Sequence, residues 1–194
     1  MLEVEIKAFI GSQCKTSVEK SAMQKGFVKG DALEETDLYF NGNDRNFMET
    51  DEALRLRICR NLTTNTSKTH ITYKGPKLDD RSSTRKEYET AVEDFSVMES
   101  LLISLGYSKA FTVVKNRQIW TLIHAGDIPP ITLCVDSVAG LGEYVEFETL
   151  ADSEEDMQPA ADSLIDMLAA FGIPRENLTR KSYLELLFLS NRNK

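Results

Sequence analysis

The chain opens on strict alternation. Leu2, Val4, Ile6 and Ala8 take one side of an extended segment while Glu3, Glu5 and Lys7 take the other, because successive side chains along a β-strand point to opposite faces. Two carboxylates at i and i+2 on one strand face are close enough to hold a divalent cation together, with an ammonium beside them. Taken alone, the segment fits a solvated edge strand. The same period-two pattern recurs: Leu54, Leu56 and Ile58 against Arg55 and Arg57; Ile71 and Tyr73 against His70, Thr72 and Lys74; Val145 and Phe147 against Glu146 and Glu148.

Runs of this kind predict strands over 2–10, 36–41, 53–60, 68–75, 84–92, 110–117, 118–124, 131–136 and 143–149. Four segments carry helical start and stop signals instead. One runs from Thr16 to Lys25 and stops at Gly26. A second starts at Ser96, which has capping-box spacing to Glu99, and ends at Gly106. A third runs from Ser153 to Gly172 and Pro174, and a short fourth from Ser182 to Ser190, with Ser182 and Glu185 as another capping box. Gly26, Gly106 and Gly172 are each followed by a hydrophobic residue, as in a Schellman-type stop. The order predicts an α+β fold built on a mostly antiparallel sheet. No linker interrupts it, so residues 1–194 read as a single domain.

Composition narrows the functional classes. A chain of 194 residues can bury a core without staples. The net charge of −8 argues against a nucleic-acid partner but leaves room for an anionic ligand held by a local basic cluster. Cys14, Cys59 and Cys134 lack disulfide-framework or metal-ligand spacing, which suits a reducing compartment. No apolar run approaches membrane-spanning length, and the opening residues do not form a signal peptide. The expectation is a cytoplasmic protein with no membrane partner.

The charged faces carry the chemistry. They read Glu-x-Glu-x-Lys, Arg-x-Arg, Lys-x-Arg (Lys115, Arg117) and Glu-x-Glu, with few neutral fillers; Asp136 ends the apolar run from Ile131. In a sandwich such faces meet water. In a closed barrel they point inward, where unpaired charge is costly unless the lumen holds a ligand of both signs. Arginine and lysine match phosphate oxygens, and carboxylates match Mg²⁺ or Mn²⁺. A metal–polyphosphate complex satisfies both halves.

Glu3-Val4-Glu5-Ile6-Lys7 resembles the ExExK signature of the CYTH, or triphosphate tunnel metalloenzyme, superfamily. The order of the other motifs agrees: Thr36 to Phe40, Ala53 to Arg57, Thr72 to Pro76, Arg85 to Glu89, Val114 to Arg117, Asp136, Glu146 to Glu148, and Lys181 to Leu187. Within the superfamily the strings are most similar to the class IV adenylyl cyclase branch. The resemblance implies an eight-stranded antiparallel closed β-barrel, a triphosphate tunnel with helices packed outside, and a homodimer. It implies a metal-binding acidic set of Glu3, Glu5, Asp136, Glu146 and Glu148, serving Mg²⁺ or Mn²⁺. It implies triphosphate contacts from Lys7, Arg55, Arg57, Lys74, Lys115, Arg117 and Lys181, with Arg85 and Lys86 as further basic candidates. The Arg45-Asn46-Phe47 segment departs from the His-containing stretch common in cyclases.

Two chemistries share these residues: cyclisation of ATP to cyclic AMP and pyrophosphate, and hydrolysis of the terminal phosphate of thiamine triphosphate or tripolyphosphate. For the second, the resemblance gives Lys74 and Tyr39 the task of orienting or deprotonating water; Tyr39, with apolar neighbours, fits a core tyrosine equally well. A nucleotide- or polyphosphate-binding module without turnover is the alternative from another class.

Overall fold

The computed structural model describes residues 2–11, 15–78, 84–123 and 129–192. Cys14 and the end of the expected 118–124 strand lie outside them. In chain order the elements are β1 (Leu2–Phe9), α1 (Lys15–Gln24), β2 (Val28–Asn41), β3 (Ala53–Asn61), β4 (Thr66–Lys77), β5 (Arg85–Val92), α2 (Phe95–Ser104), β6 (Ser108–Leu122), β7 (Ile131–Val138), β8 (Gly142–Ala151), α3 (Met157–Ala170), a 3-10 turn (Arg175–Asn177), β9 (Leu178–Thr179) and α4 (Tyr183–Arg192). The strands form one antiparallel sheet in the order β5-β4-β3-β2-β6-β7-β8-β1-β9.

Among the described residues the expected eight strands are therefore nine, and the hydrogen-bonded order is open, with β5 and β9 at its edges. The sheet is nonetheless curled: inward side chains of β1, β4 and β5, from opposite ends of the order, line one cavity. Residues 110–117 and 118–124 belong to a single strand, β6. Strand β2 starts at Val28 instead of residue 36. Its first half is polar and carries a register shift between Lys29 and Ala32, which hides the alternation. The Gln118 amide bridges this irregularity by donating to the Gly30 and Asp31 carbonyls.

Packing decides which sheet face is inside. The apolar sides of β1, β7 and β8 (Val4, Ile6, Leu133, Val135, Val145, Phe147) meet Val18 and Ala22 of α1 and Ala161, Leu164 and Leu168 of α3. On the other half, Leu54, Leu56 and Phe40 pack with Leu102 of α2. Each such side chain contributes about 1.5–3 kcal/mol by leaving water, so the helices hold the apolar face outward and the charged face is left to curl around a hollow. Helix α4 is the exception: Tyr183, Leu184 and Leu187 pack against Tyr39, Val113, Val138 and Tyr144 and close one end of the hollow.

Helix ends follow the sequence with two differences. Ser182 and Glu185 form the expected reciprocal box: the Ser182 amide donates to Glu185 Oε2 at 2.6 Å, and the Glu185 amide to Ser182 Oγ at 3.2 Å. Gly26, Gly106 and Gly172 all take positive φ after their helices. Helix α2, however, is capped by Asp94, which accepts from the Val97 amide, so the Ser96–Glu99 box does not set its start. Helix α3 begins at Met157, after a turn in which Ser153 donates to Asp156.

Candidate functional site

The hollow is a cavity of about 430 Å³. Because inward positions alternate, each strand delivers its polar set at every second residue: Glu3, Glu5 and Lys7 from β1, Arg55 and Arg57 from β3, Lys74 from β4, Arg85, Glu87 and Glu89 from β5, Lys115 and Arg117 from β6, Glu146 and Glu148 from β8. Tyr39 also lines it, beside Asp37 on β2.

The acids from β1 and β8 converge. The ladder sets Glu5 opposite Glu148 and Lys7 opposite Glu146, and one oxygen each from Glu5, Glu146 and Glu148 lies within 4.8 Å of the others. Burial, then the charges of Glu146, Glu5 and Glu3, outweigh Arg117 and push the Glu148 carboxyl up to about 8. Burial, then Glu87 and Glu5, raise Glu3 as well. Glu146 goes the other way: burial opposes ionisation, but Lys7, Arg117 and Lys115 hold it well below the usual range. Three convergent carboxylates are a hard-oxygen donor set of the kind that suits Mg²⁺ or Mn²⁺, and crowded acids fit a cation.

The bases are pre-paired. Lys7 Nζ lies 3.0 Å from Glu146 and 3.4 Å from Glu5; burial would depress its pKa, but these two carboxylates raise it. Arg57 forks onto Asp37 and reaches Glu35 Oε1 at 3.0 Å. Lys115 Nζ sits between Glu35 (3.2 Å) and Asp136 (3.1 Å). Arg117 engages Asp136 through Nε (2.8 Å) and Nη2 (2.7 Å) and contacts Glu146. Arg55 is held more loosely: Nη2 donates to Thr72 at 3.1 Å and Glu89 at 3.4 Å, Nη1 lies 3.8 Å from Asp37, and the buried Nε has no hydrogen-bond partner among the described residues. Lys74 donates to Glu87 at 2.5 Å.

Several expected site residues sit elsewhere. Asp136 is fully buried behind the wall, its oxygens taken by Lys115, Arg117 and the Tyr183 hydroxyl. Lys86 is one position out of phase with Arg85 and is exposed. Lys181 is exposed too, and its neighbour Arg180 lines the cavity. Arg85 lines the cavity but is braced by the Asp51 and Gly75 carbonyls and the Asp51 carboxylate. Burial, then Asp37, raise the Tyr39 pKa, which makes its hydroxyl a donor and a poor base.

Residues missed in the sequence are Asp37, Glu35, Glu87, Glu89, Arg180 and Tyr183. For Asp37 and Glu35 the available signal was shared phase with Tyr39 on β2; for Glu87 and Glu89, shared phase with Arg85. Phe47 and Met48, with Leu184, supply an apolar part of the cavity wall. Among the described residues no helix is long and apolar enough to cross a membrane.

Comparison with known proteins follows the same outline. The CYTH domain matches residues 1–183. A Methanocaldococcus jannaschii protein named as a candidate adenylate cyclase is 36% identical over 186 residues, 96% of this chain and 98% of its own. The solved structure of a Pyrococcus horikoshii OT3 protein is similar at a TM-score of 0.84 and 32% identity, covering 96% of this chain and 98% of the other. A candidate adenylyl cyclase from Hippeastrum, with a dominant triphosphatase activity, shares the fold at a TM-score of 0.63 and 16% identity, over 100% of this chain and 96% of its own. With its family match spanning nearly the whole length, the chain belongs to the CYTH domain family.

Proposed function

We propose that the protein is a divalent-metal-dependent enzyme that binds a triphosphate in the cavity between its curled strands, and that its reaction is the class IV adenylyl cyclase conversion of ATP to cyclic AMP and pyrophosphate. The observation carrying this reading is the convergence of Lys7, Arg55, Arg57, Lys115 and Arg117 with the Glu5–Glu146–Glu148 acids on one wall system. A cavity of about 430 Å³ falls within the roughly 300–1,000 Å³ common for small-molecule sites.

In this reading Glu5, Glu146 and Glu148 hold Mg²⁺ or Mn²⁺, with Glu3 nearby and Asp136 supporting from behind. The metal supplies Lewis-acid neutralisation of phosphate charge. The chain's own cations do the rest: Arg55, Arg57, Lys7, Lys115 and Arg117 fix the phosphate oxygens and stabilise charge on the departing pyrophosphate. The ribose 3′-oxygen attacks the α-phosphorus, the bond from that phosphorus to the oxygen bridging to the β-phosphate breaks, and the 3′-hydroxyl proton ends on the departing pyrophosphate, which leaves monoprotonated. Lys74 faces this site from β4, and the Tyr39 hydroxyl donates a hydrogen bond without accepting the proton. Lys86 and Lys181, both exposed, and Arg85, braced by main chain, are given no direct part.

The homodimer rests on the family resemblance and the cytoplasmic location on the scattered cysteines and the lack of a long apolar run in the sequence; sedimentation at micromolar concentration tests the first. The activity is tested by incubating the protein with ATP, thiamine triphosphate and tripolyphosphate in Mg²⁺ or Mn²⁺ and separating the products. Cyclic AMP with pyrophosphate is expected. Orthophosphate release would make it a triphosphatase, and binding without product a nucleotide- or polyphosphate-binding module.

A further inference from the structure

Tyr183, the first residue of α4, is 6% exposed and is locked edge-on against Tyr144, with ring centroids 5.3 Å apart at 74°. Two ammonium groups meet its ring: Lys7 Nζ at 4.5 Å from the centroid and Lys115 Nζ at 5.2 Å. Its hydroxyl donates to Asp136 Oδ2 at 3.0 Å, the oxygen that also accepts from Lys115 and Arg117. Like charges brought together in a buried place repel, and an aromatic face is electron-rich, so a ring shared by both lysines offsets part of that repulsion where water cannot. We infer that Tyr183 is a positioning residue: its ring holds Lys7 and Lys115 at the cavity floor in the arrangement that receives a triphosphate, and its hydroxyl fixes the Asp136 carboxylate behind them.

The inference rests on the triphosphate reading of Lys7 and Lys115. A tyrosine that merely fills the floor would serve as well with any ring of the same size. The two roles separate in a graded series: Tyr183→Phe, then the same phenylalanine carrying one, two and three ring fluorines, which keeps the shape and drains the negative face. Melting temperature and calorimetric affinity for imidotriphosphate, the nitrogen-bridged non-hydrolysable analogue, are measured with Mg²⁺ for each protein. Both are expected to fall stepwise with fluorine count, affinity by about tenfold from the unfluorinated ring to the trifluorinated one. A melting temperature that stays level or rises with fluorination overturns the ring–lysine contact. A falling melting temperature with unchanged affinity overturns the positioning role. If the unsubstituted protein does not bind imidotriphosphate, the triphosphate reading fails and the positioning role with it, while the melting series still reports whether the ring holds the lysines.

Discussion

Arg57 grips Asp37 with both arms of its guanidinium, Nε to Oδ1 at 2.5 Å and Nη2 to Oδ2 at 2.8 Å. Burial opposes ionisation of Asp37, but Arg57, with Arg55 and Lys115, brings its carboxyl down to about 2. An unfolded aspartate titrates near ~3.9, so the folded value is the lower one. The stabilisation, about 2–3 kcal/mol, is fully present above about pH 4 and disappears as pH falls through about 2. Asp37→Asn leaves Arg57 with Glu35 alone and should cost roughly 3 kcal/mol at neutral pH. Urea unfolding at pH 7, 3 and 2 measures both; an acid limb no shallower in the variant than in the parent would contradict the pairing.

Metal addition should stabilise the fold through the carboxylates of β1 and β8. At a hundredfold excess over its dissociation constant, Mn²⁺ adds about 2.7 kcal/mol, or roughly 5–10 °C in melting temperature for a domain of this size. Glu5→Gln removes one of the three convergent oxygens and should lose most of the shift, with at least the 10–100-fold fall in affinity that even an outer partner's loss produces. An equal shift in both proteins would place the cation elsewhere.

Arg55 is held more loosely than Arg57, 3.8 Å from Asp37 and 3.4 Å from Glu89. Its buried Nε has no hydrogen-bond partner among the described residues, so Arg55→Ala should raise KM for the triphosphate about 10–100-fold, the equivalent of one lost charge-assisted contact. The melting temperature should change less than in Arg57→Ala, which removes the forked partner of Asp37 and one of the two cations on Glu35. Steady-state kinetics beside a thermal melt decides; similar melting losses in the two variants would remove the distinction.

The neighbouring pair at 180 and 181 gives a sharper contrast. Arg180 lines the cavity and Lys181 is exposed. Lys181→Ala should leave KM within about twofold, as expected of a surface charge, whereas Arg180→Ala should raise it. The reverse result would mean that the segment before α4 turns over when ligand binds.

Alternation made the β1, β3, β6 and β8 faces legible, since a period of two assigns every side chain once one is placed. The resemblance matches motifs and not phase, so it offered Lys86 and Lys181, which are exposed, beside Arg85 and Arg180, which line the cavity. Depth was not legible either: nothing in the run Ile131–Asp136 says that Asp136 stands behind Lys115 and Arg117. Glu35 stayed out of view because β2 looks like a strand only from residue 36. Openness of the sheet could not be read from motif order, which is the same for a curled sheet and a sealed one.

Glu5 meets Glu146 and Glu148 through the ladder between β1 and β8, two strands far apart in the sequence. Joining such distant segments requires a long chain loop to close before any contact repays it, which slows folding. Closing that loop is then the slow step, and the three carboxylates come into register only on its far side, so we expect their cluster to be unformed at the barrier. A metal bound there should act as a brake on unfolding, lengthening the native lifetime while leaving the refolding rate almost unchanged.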